Sequence, residues 1–310
     1  VMDLLASVDM HGIQTSGNCI RNITSDALAG IAPDEIADPR PFAEIMRQWS
    51  TLHPEFAFLP RKFKIAITGA TNDRAAVRWH DVGLHLIKND AGDLGFRVFV
   101  GGGMGRTPVI STEIRAFLPW NQIMNYLEAV VRVYNRWGRR DNLYKARIKI
   151  LVKAEGQRYI DEVEAEYEQI ITRDGAPHTI SQAELDRVAA CFVPPALTER
   201  APAATKTVAI PAERQKDYDR WLQQNVAPHK NPALRAVTLS YKRLGQAPGD
   251  ADADQLDTAA ALADEFSAGE TRVTHDQNLL LPWVRAEDLP ALWVAASHAG
   301  LARSNVRLLT

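Results

Sequence analysis

The chain has 310 residues, 46% apolar and 24% charged, a make-up typical of globular proteins and enough length for one large domain or two to three smaller ones. Its formal net charge of -2 excludes a global pull toward nucleic acid or anionic lipid. No apolar run approaches the length of a membrane span, no signal peptide opens the chain, and its two cysteines, Cys19 and Cys191, form no CxxC pair, so a self-contained zinc knuckle or iron–sulfur motif is excluded.

The first residue is Val1, and the chain opens inside an apolar periodic stretch (Met2, Leu4, Leu5, Val8), which reads as a piece of a longer chain. Residues 1–10 predict the end of a helix closed near Gly12, and 13–24 predict strand and loop. Pro39 and Pro41 introduce a helix carrying Phe42, Ile45, Met46 and Trp49 on one face. Strands are expected at 62–68, 81–88 and 95–100, the last two joined by a turn at Asn89-Asp90-Ala91-Gly92. Helices are expected at 120–137, onward to 171, and at 181–192. Residues 194–207, rich in Pro, Ala and Thr, read as a linker. Beyond it come a strand near 235–243, a helix at 254–266, a strand at 271–281 and a helix at 286–299. That β-α-β-α order is half of a ferredoxin-like fold. Residues 293–310 repeat the plan of 1–24, which suggests an internal duplication.

Four stretches carry chemistry. In Leu59-Pro60-Arg61-Lys62-Phe63-Lys64, alternation along a strand puts Lys62 and Lys64 on one face, about 7 Å apart. Two ammonium groups that close are stable at a wet sheet edge or around a bound anion. In Gly101-Gly102-Gly103-Met104-Gly105-Arg106, the third glycine of a dinucleotide fingerprint falls on Arg106 or Pro108, so that reading fails. The glycines still permit either a flexible turn or a close approach of backbone to a flat ligand. Thr15-Ser16-Gly17-Asn18-Cys19-Ile20-Arg21-Asn22 is dense in hydrogen-bonding side chains, as a capped turn or a site loop is. Arg272-Val273-Thr274-His275-Asp276-Gln277-Asn278-Leu279 places polar residues in an apolar strand, which a core strand would not tolerate. Finally, residues 132–153 hold eight Lys/Arg against one acid, Asp141, a strong local field in a slightly acidic chain. The histidines show no ligand spacing such as HxxxH and are expected to pack or face solvent.

Taken together, in this order and spacing, these segments resemble the haemoprotein subunit of sulfite and nitrite reductases, most of all the bacterial assimilatory sulfite reductases. The resemblance implies an α+β fold with pseudo-twofold duplication: ferredoxin-like half-domains plus a mixed α/β sirohaem-binding domain. It implies the end of a first ferredoxin-like half at 1–30, a sirohaem-binding domain with helical extension and linker at 31–200, and a second ferredoxin-like half at 201–310, with the cluster-binding domain lying after Thr310. The implied cofactors are sirohaem and a [4Fe-4S] cluster, whose four cysteine ligands lie outside this sequence.

The implied reaction is the six-electron reduction of sulfite to sulfide, with ferredoxin-dependent reduction of nitrite to ammonia as the alternative. By the resemblance, Arg21, Lys62 and Lys64 hold the substrate anion and supply protons. Thr15, Asn18, Asn22, Arg61, Gly102, Gly103, Arg106, Lys145, Arg147, Lys149, Gln277 and Asn278 cradle the carboxylate-rich sirohaem. The electron donor is expected to be ferredoxin or a flavoprotein reductase subunit, and the compartment the cytoplasm, with no nucleic-acid or membrane partner. A reading of another class remains: a non-catalytic protein that binds polyanions through 132–153.

Overall fold

The computed structural model describes residues 1–196 and 208–307. The fold is α+β, as the sequence predicts, in two compact units: Val1–Ser25 with Ile36–Val193, and Asp26–Glu35 with Pro194–Thr310. Most of the predicted linker, 197–207, lies outside the described residues, as do 308–310.

The first unit is built on a five-stranded sheet: β1 (Ile20–Thr24), β2 (Phe63–Thr68), β3 (Val82–Lys88), β4 (Leu94–Val100) and β5 (Thr112–Pro119), side by side in that order. The β1–β2 and β2–β3 pairs are parallel, and the β3–β4 and β4–β5 pairs are antiparallel. Phe63, Ile65, Ala66 and Ile67 of β2 are all buried, as suits a central strand covered on both faces. The β1–β2 crossover carries α2 (Arg40–Thr51), with Pro41 in its first turn, where a missing N–H costs nothing, and Phe42, Ile45 and Met46 turned to the core. The β3–β4 turn closes on Asn89, whose side chain accepts the Asp93 N–H at 2.8 Å.

α3 (Ile123–Trp137) and α5 (Gln157–Thr172) pack together, burying Tyr126, Leu127, Val130, Val131 and Tyr134 against Tyr159, Val163 and Ile170. The helix predicted to run on to 171 is two helices: α4 (Ile148–Glu155) ends at Gly156, whose φ of 54° breaks the ladder before α5 begins. α6 (Gln182–Ala189) starts on Ser181, whose hydroxyl accepts the Glu184 N–H at 3.1 Å.

The second unit holds an antiparallel sheet in the order β6 (Val226–Pro228), β7 (Leu234–Leu239), β9 (Leu279–Arg285), β8 (Arg272–Val273). α7 (Gln215–Asn225), α8 (Ala253–Phe266) and α9 (Leu289–His298) supply Trp221, Leu262, Phe266, Leu292 and Trp293 to its core. α8 opens on a reciprocal capping box between Asp252 and Gln255.

Several expectations need correction. The opening helix, α1, is only Met2–Ala6, exposed but for half-buried Leu5, because no apolar face of the described chain covers it. The strand predicted at 271–281 is a hairpin: Gln277 has φ 58°, and Thr274 Oγ1 accepts the Asn278 N–H at 3.0 Å, so the polar run is a turn. β5, β6 and α7 carried no pattern recognised in the sequence.

Candidate active site

The loop 15–22 and the segment 59–64 meet by backbone. The Asn18 carbonyl accepts the Leu59 N–H at 2.8 Å, and the Cys19 carbonyl accepts the Phe63 N–H at 3.0 Å. The parallel register then sets Asn22 beside Lys64. Phe63 is fully buried and its ring lies 5.6 Å from that of Tyr134, so Lys62 and Lys64, its two neighbours, are left half-buried at the other face. The Tyr134 hydroxyl donates to the Ala146 carbonyl at 2.8 Å, which fixes the approach to Arg147.

Arg147 in turn gives Asp81 two hydrogen bonds, from Nε at 3.1 Å and Nη2 at 2.7 Å. The other carboxylate oxygen of Asp81 accepts the Lys64 N–H at 2.9 Å. Around Lys62 this collects cations: burial first, then the charges of Arg147, Arg21, Lys64 and Arg61, push its ammonium below the usual lysine range. A lowered pKa makes an ammonium a readier proton donor. A half-buried group of five cations with one buried carboxylate keeps a surplus of positive charge, which a small anion or an anionic ligand would neutralise. The wet-edge alternative accounts for neither Arg147 nor Asp81.

Other predicted residues are placed differently. Thr15 and Asn18 are exposed, and Thr15 Oγ1 donates to the Gly12 carbonyl at 2.8 Å. Arg21 Nε donates to the Gly17 carbonyl at 2.9 Å, and Arg21 and Asn22 border a cleft of about 190 Å³. Arg106 and Lys145 are exposed. Lys149 is buried, and its ammonium donates to the carbonyls of Gly103, Met104 and Thr107 at 3.5, 3.0 and 2.5 Å. All three of its protons are engaged, so it staples a loop and is not available to a cofactor carboxylate.

The glycine cluster is tight for internal reasons. A Cβ on Gly102 would stand 2.5 Å from the Arg78 carbonyl oxygen, and one on Gly103 would stand 2.9 Å from Arg147 Nη2. At both positions the chain itself fills the space a side chain would need, so only glycine fits. In the second unit, Asn278 is buried, its Oδ1 accepting the Tyr241 N–H at 3.1 Å and its Nδ2 donating to the Val306 carbonyl at 3.1 Å, while Gln277 is exposed at the hairpin tip.

The first part of the basic stretch is neutralised. Arg132 meets Glu55, Glu128, Glu166 and Asp174; Arg136 meets Glu162 and Glu166; Arg139 meets Asp141. Acids distant in sequence offset the charges of Arg132 and Arg136, and Arg139 meets the one acid within the stretch. Within this network His53 and His178 approach Glu128 at 3.7 and 2.6 Å. These three have the residue types of a metal centre. However, Arg132 already holds the carboxylate, and the Glu55 N–H donates to His53 Nδ1 at 3.3 Å, which places a neutral ring's proton on Nε2, where a metal would bind. The arrangement is an ion-pair network.

A [4Fe-4S] cluster does not fit the cysteines present. It takes four thiolates. Cys191 is exposed, and Cys19 donates its thiol proton to the Ser16 carbonyl at 3.3 Å, with burial pushing its pKa up against the pull of Arg21. The cations around Lys62 do fit a carboxylate-bearing macrocycle or its anionic substrate. Among the described residues no helix is long and apolar enough to cross a membrane.

Comparison with known proteins places these features. Residues 16–171, just over half of the chain, match the family described as the nitrite and sulphite reductase 4Fe-4S domain. Residues 238–297 match the nitrite/sulfite reductase ferredoxin-like half domain. The chain is 32% identical over 190 residues to sulfite reductase [ferredoxin] 1 of Mycolicibacterium paratuberculosis, covering 59% of this chain and 34% of that protein. It is 26% identical over 294 residues to the chloroplastic ferredoxin–nitrite reductase of Arabidopsis thaliana, covering 93% of this chain and 44% of that protein. The solved structure of Mycobacterium tuberculosis NirA superposes with a TM-score of 0.70 at 25% identity, over 98% of this chain and 47% of that one. The chain thus spans less than half the length of these relatives.

Proposed function

The chain belongs to the nitrite and sulphite reductase 4Fe-4S domain family of oxidoreductases, and from that premise we propose that it forms the substrate-holding part of a sulfite reductase haemoprotein, reducing sulfite to sulfide with six electrons. The observation that carries this reading is the group of cations gathered on Lys62 by Arg21, Arg61, Lys64 and Arg147. Sirohaem coupled to a [4Fe-4S] cluster would supply the iron that takes the anion and the electrons that reduce it. The four cysteines for the cluster have no counterpart among Cys19 and Cys191 and would come from outside this sequence.

In this reading Arg21, Lys62 and Lys64 hold the anion's oxygens. Each oxygen leaves as water, so protons must arrive beside it, and the depressed pKa of Lys62 suits that delivery. Arg61, Arg106 and Lys145 of the first unit would meet sirohaem carboxylates, with Asn22, Thr15 and Asn18 as exposed polar groups of the same unit that would join them; Gln277 is a separate candidate, exposed in the second unit. A sirohaem-binding domain at 31–200 and a second half at 201–310 belong to the same proposal; of the ferredoxin-like end expected at 1–30, Val1–Ser25 instead joins the first unit through β1, and the rest groups with the second. So do a ferredoxin donor, which the names of the relatives favour over a flavoprotein, and a cytoplasmic location.

Nitrite is the second reading, favoured by the length of the match to the Arabidopsis nitrite reductase. Competition between the two substrates decides it: kcat/KM of the holoenzyme for sulfite should exceed that for nitrite. Preference for nitrite by orders of magnitude overturns the sulfite assignment. A colourless, iron-free preparation of the full-length protein, expressed with sirohaem synthesis intact, overturns both.

A further inference from the structure

Asp81 is 1% exposed and lies immediately before β3. No sequence motif marks it. Three walls of the cation cluster nevertheless meet on it. Its Oδ2 takes the backbone N–H of Lys64, its Oδ1 takes Arg147, and its own carbonyl takes the Gly101 N–H at 2.9 Å. It therefore ties the lysine strand, the N-cap of α4 and the glycine turn to one another.

A buried carboxylate is costly to keep, and burial pushes this one above the usual range while Arg147 pulls it back. It receives only donors, so in this structure it is the ionised form that is bonded. Two consequences follow. First, Arg147 is bound through Nε and Nη2, which leaves the Nη1 end of the guanidinium free and its plane fixed. Second, the negative charge offsets repulsion among cations that must stand together before any anion arrives.

Building on the reading of this cluster as an anion site, we propose that Asp81 is a positioning residue for the reaction: it aims Arg147 and Lys64 and sets the charge that Lys62 feels. It acts through these groups and touches no reacting atom.

The charge logic gives a signature that a purely structural role lacks. Removing the Asp81 charge leaves Arg147 uncompensated, so Lys62 loses its proton at lower pH. Removing Arg147 has the opposite sign. The experiment titrates the holoenzyme with nitrite, which keeps one charge throughout, from pH 6.5 to 9.5, reading the absorption spectrum and the binding heat. Asp81→Asn keeps an acceptor for the Lys64 N–H. It should weaken nitrite binding about tenfold and move the alkaline loss of binding to lower pH. Arg147→Gln should weaken binding about as much and move that limb to higher pH, and it tests the proposal even where the Asn variant does not fold. The double variant should lose less than the two losses combined. Additive losses, or limbs that do not move apart, overturn the positioning role and leave the anion site standing. A wild-type holoenzyme that binds neither nitrite nor sulfite overturns the anion site and the positioning role with it.

Discussion

The Lys149 ammonium stands 3.0 Å from the Met104 carbonyl and reaches the Gly103 and Thr107 carbonyls as well, closing the turn that follows β4 around one buried charge. Burial, then the charge of Arg147, lowers its pKa, with Asp81 pulling the other way. Lys149→Met keeps the stem and removes the donors. It should cost about 1–3 kcal/mol, since the Met104 and Thr107 carbonyls lose their donor while Gly103 keeps the Val109 N–H. Amides of 103–107 should exchange faster with solvent while those of β2 hold, as read by hydrogen exchange with mass spectrometry. Unchanged exchange in 103–107 would show that the Gly103–Val109 bridge closes the turn without the lysine.

For Lys62 and Lys64 the expectation is catalytic. Lys62→Ala and Lys64→Ala should each lower sulfite turnover in the holoenzyme by about 10²-fold or more, the usual contribution of a positioned proton donor. The sirohaem absorption should stay largely in place, because neither side chain carries the fold. Unchanged turnover in both variants would return the pair to a solvated sheet edge.

The lysine pair was legible because strand alternation is a local rule, and Arg61 and Arg21 came with the same motifs. Asp81 was not, because its meaning depends on Arg147, 66 positions later. Lys149 and Asn278 were read as ligand-facing from the resemblance and their residue type. Their burial, and the carbonyls that claim them, exist only after the loops close. The basic run at 132–153 misled in the same way, since Glu55, Glu162 and Glu166 neutralise its first part from other segments. The Thr274–Asn278 turn was mistaken for strand because apolar residues flank it on both sides and no glycine or proline marks it.

Glu128 lies buried between His53, His178 and Arg132. Burial raises its pKa, but the nearby His53 and the charges of His178 and Arg132 outweigh that, and the result is lowered from 4.5. A depressed folded pKa gives stability that is present above the unfolded value and is lost as pH falls below it. Chemical denaturation should therefore show the first unit weakening below about pH 4.5. Glu128→Ala should cost about 1–3 kcal/mol at pH 7, because it leaves His53 and His178 without their carboxylate and takes one of four carboxylates from Arg132. A variant as stable as wild type at pH 7 would show that Glu55, Glu166 and Asp174 suffice for Arg132.

His229 offers a titration nearer neutrality, in the second unit. It is buried, its ring lies 5.3 Å from that of Trp283, and its Nδ1 accepts the Asn231 N–H at 2.8 Å. Burial, then the charge of Lys230, with Arg272 and Arg235 adding to it, holds its pKa below 6.5. The ring is therefore neutral when folded, and the Asn231 N–H requires an unprotonated Nδ1. In the unfolded chain it takes a proton at the ordinary value, so stability present above pH 6.5 is lost as pH falls through 6.5 toward the folded pKa. The slope from one such group cannot exceed about 1.4 kcal/mol per pH unit. Thermal melts of the second unit between pH 7.5 and 5.5 should decline in the wild type. His229→Phe keeps a ring against Trp283 and should flatten that decline, at the cost of the Asn231 hydrogen bond at every pH. An equal slope in both proteins would move the titration to another group and leave His229 as packing alone.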